Sequence, residues 1–351
     1  PAAVTSVTTI LKVTVQTLAL MSGLGIVGLA ATSILINTVT LVILAVTAWR
    51  LFPELRRAGA HGWRTLKGLL DRGLRMEMVR SSWPLMVNHL LATLFYKIDV
   101  FLMEPILGST ALGLYSIGYK FLDTLMVIPS MFTLALFPVI SRQAQGDLGA
   151  LRRFYTLGTK ILITLALPMA LLATLAAPEM VMILGGSAYL PGAAVALRLM
   201  AWSMPIGWIN SITQYALIAL DRQRYLTRAY VVGFAFSVLS NLWLMPRLGA
   251  AGSAALHICA EAVLLVPFAL GIRRYMGGIG WWEMLGKPLL AALLVGIGAV
   301  VLLPIGRGVA VLMVVLLYPL AVWMLGVLSP EERALLAPLV RRGATPTVEG
   351  T

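Results

Sequence analysis

The feature that most constrains this chain is a recurrence of uncharged apolar runs, each about as long as the ~20 residues a helix needs to cross the hydrocarbon core of a bilayer. Breaks at charged residues and at Gly or Pro delimit ten candidate spans: 2–21, 25–49, 83–104, 112–140, 159–184, 193–219, 226–246, 250–272, 288–304 and 309–327. None shows the strict alternation of a barrel strand, so helices do the spanning. Composition agrees: 60% of the 351 residues are hydrophobic and 12% charged, and the mean hydropathy is +0.91. The expected fold is an all-α integral membrane protein of about ten transmembrane helices.

A formal net charge of +13 would suit nucleic acid were it spread over one face. It lies instead in short loops. The stretches 50–80, 142–160, 221–228, 273–287 and the tail carry most of the Lys and Arg, whereas the loops between them carry only Arg247 and Arg307. By the positive-inside rule the basic set faces the cytoplasm, which places both ends of the chain there. Nucleic acid is not an expected partner; anionic lipids are. In the longest basic loop Trp63, Leu66, Leu70 and Leu74 fall near helical spacing with Arg64, Lys67, Arg72 and Arg75 between them, a pattern for a helix lying in an anionic interface. Expected segments are therefore two spans in 1–50, a basic linker in 51–82, six spans in 83–272, two more in 273–328 and a cytoplasmic tail in 329–351.

Charged and amide side chains inside the spans are the functional candidates, because each costs at least ~2.5–3.5 kcal/mol at the bilayer centre. The segment FYKIDVFLM carries Lys97 and Asp99, about 200° apart on a helix, so they cannot pair with one another. Lys97 lies ~12 Å inside the outer end of its span, and Lys120 on the next, antiparallel span lies at similar depth, so both can face one cavity. Lys120 and Asp123, at i and i+3, can form a local ion pair. Arg198 lies within a turn or two of the outer face, from which it can snorkel. Asn88, Asn210 and Gln214 extend the polar lining, Asn241 and His257 read as hydrogen-bonding helix glue, and Glu261 sits near mid-span as a proton-carrier candidate. Prolines and glycines within the spans read as ordinary kinks.

No catalytic or metal-binding constellation is visible: there is no Walker loop, no HExxH, one Cys and three scattered His. No cofactor is expected.

Two stretches carry a family resemblance. IDVFLMEPILGSTALGLYSIGYKFLDTLMVIPSMFTLALFPVISR (98–142) has an Asp ending one span, a short Leu-Gly turn, Gly-x-Tyr-x-x-x-x-Lys opening the next and a Phe-Pro-x-x-Ser-Arg close. ALDRQRYLTRAYVVGFAFSVLSNLWLMPRLGAAGSAALHICAEAVLLV (219–266) has an Asn-bearing span and a Pro-x-x-Gly-x-x-Gly turn. The chain resembles the polysaccharide flippases, the O-antigen and exopolysaccharide branch of the multidrug/oligosaccharidyl-lipid/polysaccharide exporter superfamily. The resemblance implies a two-lobed exporter in which 1–50 are the last two helices of an N-terminal lobe whose first four are absent from this chain. Segment 83–272 would be the six-helix C-terminal lobe and 273–328 an extra helix pair. It further implies a secondary transporter, not an enzyme, with a cationic cavity. Lys97, Lys120 and Arg198, with Asn88, Asn210 and Gln214, would hold an undecaprenyl-pyrophosphate-linked oligosaccharide, while Asp99, Asp123 and Glu261 balance charge or couple to a proton or sodium ion. A polysaccharide polymerase and a chain-length regulator would be partners. A lipid II flippase, a drug/cation antiporter, a polymerase and a non-transporting scaffold are the competing readings; the short outer loops disfavour the polymerase.

Overall fold

The computed structural model describes residues 2–51, 72–329 and 332, and every regular element among them is helical. Helix is what the apolar runs demand, since a backbone N–H or C=O in hydrocarbon has no water to pair with. The elements are α1 (Ala2–Met21), α2 (Gly25–Leu51), α3 (Arg72–Leu107), α4 (Ser109–Leu125), α5 (Val127–Ala144), α6 (Leu148–Leu175), α7 (Ala177–Gly185), a 3₁₀ turn (Ser187–Tyr189), α8 (Gly192–Met200), α9 (Ser203–Ala219), α10 (Gln223–Met276), α11 (Trp281–Leu302) and α12 (Arg307–Met324). The interfacial helix read into 51–80 lies largely outside the described residues, which resume at Arg72 in the first turn of α3; the tail beyond Ser329 lies outside them apart from Glu332.

Contacts divide the chain into residues 1–81 and 82–351. In the first unit α1 and α2 form an antiparallel pair around a turn in which Gly23 takes a positive φ of 79°. In the second, α6 has two working faces. Leu162, Ala166, Ala170 and Ala173 join the main core with α4, α8, α9 and α10. Ile163, Leu167, Leu171 and Leu175, spaced by four residues into one ridge, pack against Ala291, Val295 and Ala299 of α11 and Val314 and Tyr318 of α12. Small residues along α11 let the two backbones approach closely, the usual way of joining helices in lipid. Large apolar side chains such as Ile183, Trp243, Val301 and Leu316 stay exposed, far more apolar surface than a water-soluble monomer tolerates.

Six of the described helical stretches are long and apolar enough to cross a membrane, or seven if α8 and α9, bent by 43°, make one span. This is fewer than ten for identifiable reasons. Residues 223–276 count once, yet 54 residues would reach ~80 Å, well over twice the hydrocarbon thickness, and the stretch is broken at Gly249 (φ 65°, ψ −162°). The arms on either side are stapled by Ser253 Oγ, which donates to Asn241 Oδ1 at 2.8 Å. α3 is absent from the count and carries Asn88, His89, Lys97 and Asp99.

In three expected spans the helix is interrupted, briefly in the first, near a proline, which removes a helical N–H and whose ring crowds the carbonyl four residues earlier. Pro129 acts on Leu125, the last residue of α4; Pro178 acts on Thr174, at the end of α6; Pro205 acts on Ala201, between α8 and α9. The orphaned Ala201 carbonyl accepts from Met204 N–H at 3.2 Å, and the Thr174 carbonyl accepts from Arg198 Nε at 3.2 Å. Pro205 marks a 43° bend and Pro178 the start of α7, whereas near Pro129 only Met126 leaves the helix and 109–144 still form one span.

Just beyond α12, Ser329 and Glu332 exchange the reciprocal bonds of a capping box: Ser329 N–H donates to Glu332 Oε2 at 2.7 Å, and Glu332 N–H to Ser329 Oγ at 3.2 Å. Lys160 Nζ donates to both Glu332 oxygens at 2.7 and 3.0 Å, tying this segment to α6. Partial burial pushes the Glu332 carboxyl up, but the bonds from Lys160 and Ser329 outweigh it and hold the group below its ordinary 4.5.

Two outcomes are expected. The Gly249 backbone lies in a region open essentially to glycine alone, while a side chain there would meet nothing within 4 Å, so Gly249→Val should cost about 1–3 kcal/mol through the backbone alone; a lowered thermal midpoint in detergent checks this. Because the folded Glu332 pKa is depressed, its contribution to stability is complete above the unfolded value and is lost as pH falls through the folded one. Thermal midpoints should therefore drop on acidification below about pH 4.5 more steeply in the wild type than in Glu332→Gln.

Candidate functional site

Four helices of the second unit turn polar faces onto a cavity of about 270 Å³. α3 supplies Thr93, Tyr96 and Lys97; α4 supplies Tyr119, Leu122 and Asp123; the second arm of α10 supplies His257 and Glu261; α9 supplies Ser203, Met204 and Gly207. Each set recurs at three- or four-residue spacing, so each lies on one stripe of its helix. Met126 and Ser130 complete the wall beside the Pro129 break, and Ser203 and Met204 stand at the Pro205 break. The cavity thus lies where two helices are interrupted.

Its one ion pair joins Lys97 Nζ to Asp123 Oδ2 at 2.8 Å, and the ammonium also stands 4.5 Å from the centroid of the Tyr119 ring. Both charged side chains remain open, 37% and 51% exposed. Such a pair is weakly held and can exchange partners. Behind it, Tyr119 Oη donates to the main-chain carbonyl of Tyr96 at 2.5 Å, fixing the ring.

A buried network lies deeper. Asp99 is 2% exposed and accepts from Tyr115 Oη, and its Oδ2 lies 3.2 Å from His257 Nδ1. One turn along, Glu261 is 1% exposed. Asn210 Nδ2 donates to its Oε2 at 2.7 Å and to its main-chain carbonyl at 3.0 Å. Gly207 permits this: a Cβ there would stand 3.1 Å from Glu261 Oε1. α3, α4, α9 and α10 are therefore joined through two carboxylates, one histidine, one tyrosine and one amide.

A family model described as "Polysaccharide biosynthesis protein" matches residues 2–194, more than half of the chain. The chain belongs to the polysaccharide biosynthesis protein family. No curated protein matches it. Among solved structures, one titled "Lipid II flippase MurJ, inward closed conformation" superposes with a TM-score of 0.59 at 9% identity, over 76% of this chain and 57% of that one. At this identity the likeness is one of fold. The chain spans less than two thirds of that protein's length.

Within this member of the polysaccharide biosynthesis protein family, the predicted residues divide. Lys97, Asp123 and Glu261 share the cavity, and Asn210 clamps Glu261 from behind. As the 200° separation requires, Asp99 turns away from Lys97 to meet other helices. Lys120 does not join them. It lies about 100° around α4 from Tyr119 and is exposed, outside the cavity wall. The local Lys120–Asp123 pair gives way to Lys97–Asp123, and the cavity is of mixed charge rather than cationic. Asn88 binds the start of α10, with Nδ2 donating to the Gln223 carbonyl at 3.2 Å and Oδ1 accepting from Thr227 Oγ1 at 2.7 Å. Gln214 accepts from Tyr230 Oη at 2.6 Å. Both amides join helices rather than line this cavity. Arg198 stands at the end of α6, in another cavity. His257 and Asn241 both act as helix glue, as expected, but with separate partners: His257 meets Asp99 of α3, and Asn241 accepts from Ser253.

The two charge sets should differ in cost. Asp99→Ala leaves His257 and Tyr115 buried without their acceptor and should destabilise by about 3–5 kcal/mol. Lys97→Ala, at an open pair, should cost about 1 kcal/mol or less. Thermal unfolding of both variants in one detergent checks the order.

Proposed function

We propose that this protein acts in a flippase that moves an undecaprenyl-pyrophosphate-linked oligosaccharide, an O-antigen or exopolysaccharide repeat unit, across the bacterial cytoplasmic membrane by alternating access. The observation that carries the reading is the open Lys97–Asp123 pair, in a cavity at two helix breaks, in a chain of the polysaccharide biosynthesis protein family. An anionic diphosphate or acidic sugar can displace Asp123 from Lys97, because an ammonium gains more from a dianion than from one carboxylate. Displacement leaves Asp123 and the dianion beside one ammonium, a net negative site that uptake of a proton or sodium ion at Asp123, Asp99 or Glu261 would neutralise. These carboxylates are the sites at which a proton or sodium ion would couple. A cavity of 270 Å³ holds a head-group fragment, not a lipid tail, so the tail would stay in the bilayer.

In this reading 83–272 form the C-terminal lobe, 1–50 belong to an N-terminal lobe and 273–328 are an added pair, with the basic loops and the C-terminus cytoplasmic. A polymerase and a chain-length regulator would receive the product. Lipid II, also a polyprenyl diphosphate, is the rival substrate, and the fold shared with a lipid II flippase favours it.

Export of surface polysaccharide by the full-length protein tests the reading. Lys97→Ala should lower it at least tenfold, about 1.4 kcal/mol of lost substrate binding, at unchanged protein level, whereas Lys120→Ala should leave it intact. Normal export by Lys97→Ala would remove the assignment. Complementation of a lipid II flippase deficiency instead would transfer it to that substrate.

A further inference from the structure

A cationic site lies away from the Lys97 cavity, with no residue in common. A cavity of about 560 Å³ is bounded by the end of α6 (Thr174, Leu175), Arg198 of α8, the end of α11 (Val300) and Arg307 at the start of α12. Its Thr174, Leu175 and Val300 also line a groove of about 520 Å³ whose wall is otherwise Leu167, Leu171, Trp202 and the α11 face around Gly296. The two cavities are thus consecutive parts of one channel, apolar along α6 and α11 and basic at its end.

The arginines are placed for an anion. Pro178 cannot donate to the Thr174 carbonyl, and Arg198 Nε fills that role at 3.2 Å. This fixes the guanidinium and leaves its two terminal nitrogens without a protein partner among the described residues. Arg307 NH1 lies 3.3 Å from Glu179 Oε1, with both side chains 53% exposed, a pair too open to hold the charge tightly. Two arginines against one carboxylate leave the site net positive. Arg307 also opens α12, whose first-turn N–H groups have no helical acceptor. By the loop-charge reading this is the outer face, where basic residues are few.

We propose that this channel binds an anionic phospholipid of the bilayer, its phosphate held by Arg198 and Arg307 and one acyl chain lying in the groove between α6 and α11. The lipid would act as a packing element that fastens the α11–α12 pair to α6 where their contact opens. A bilayer phospholipid is the fitting occupant because the apolar part lies along helices whose neighbouring side chains are exposed, and because fork-shaped guanidinium donors match a phosphodiester. The inference stands apart from the proposed substrate.

The test is native mass spectrometry of the full-length detergent-purified protein with phosphatidylglycerol or phosphatidylcholine. The wild type should retain phosphatidylglycerol about tenfold better, the scale of one or two charge-assisted hydrogen bonds. Arg198→Gln with Arg307→Gln should abolish the preference, Arg307→Gln alone should weaken it, and Lys97→Gln should leave it unchanged. Gly296→Leu, whose side chain enters the groove, should lower binding of the chain without changing charge. Equal retention of the two lipids by the wild type, or an unchanged preference in the double variant, would overturn the proposal. So would displacement of the phospholipid by equimolar undecaprenyl diphosphate together with its loss in Lys97→Gln, which would assign the site to the transported lipid. Should the double variant fail to fold, Arg307→Gln and Gly296→Leu decide the matter.

Discussion

Inside hydrocarbon, a peptide carbonyl that loses its helical donor must find another within the protein. Three prolines impose that condition on the second unit, at Leu125, Thr174 and Ala201, and its polar sites are arranged around the results. At Ala201 the chain compensates with a tighter turn, taking Met204 N–H, and the bend brings Ser203, Met204 and Gly207 to the cavity. At Leu125 α4 ends two residues after Asp123, and Met126, with Ser130 in the first turn of α5, completes the cavity wall. At Thr174 the donor comes from another helix, which draws Arg198 into the α6 end.

The buried network follows from the same economy. Asp99 could not remain charged and alone at 2% exposure, so two helices deliver donors to it, Tyr115 from α4 and His257 from α10. Glu261, one turn from His257, is met by Asn210 of α9. These contacts fix how α3, α4, α9 and α10 pack, and the packing in turn leaves Lys97 with Asp123 as its only carboxylate partner among the described residues. The distinction between a stabilising carboxylate and an exchangeable one is a difference in exposure: 2% for Asp99 against 51% for the Asp123 side chain. In the proposed function a substrate phosphate would compete only with the second.

What could be read from sequence was whatever a single helix determines. The apolar runs gave the membrane class and most helix positions, and the 200° between Lys97 and Asp99 sent them to different surroundings. The choice between Lys120 and Asp123 was not legible, because it depends on which stripe of α4 faces α3. Tyr115 and Tyr119 set that stripe by meeting Asp99 and the Tyr96 carbonyl, and Lys120 falls off it. Asn88, Asn210 and Gln214 looked alike as polar residues in apolar spans, yet only Asn210 has a carboxylate opposite it. Nor did the prolines announce which of them break a helix: Pro138 and Pro168 lie inside continuous helices, whereas Pro129, Pro178 and Pro205 stand at interruptions.

α6 connects these observations into one architecture. One face, through Leu162, Ala166 and Ala170, holds the core against which the cavity helices pack; the other, through Ile163, Leu167 and Leu171, holds α11 and α12. A helix so used on both sides cannot move relative to one partner without disturbing the other, since close-packed interfaces shift between discrete arrangements rather than deform smoothly. The α11–α12 pair is therefore mechanically joined to the cavity-bearing part of the unit even though it contributes nothing to the Lys97 cavity. At the Thr174 end of this junction the ridge stops at Leu175 and α7 departs. Two arginines gather at that end, and a bound anionic lipid would close the gap with its headgroup while its chain continues the apolar packing that the helices leave unfinished.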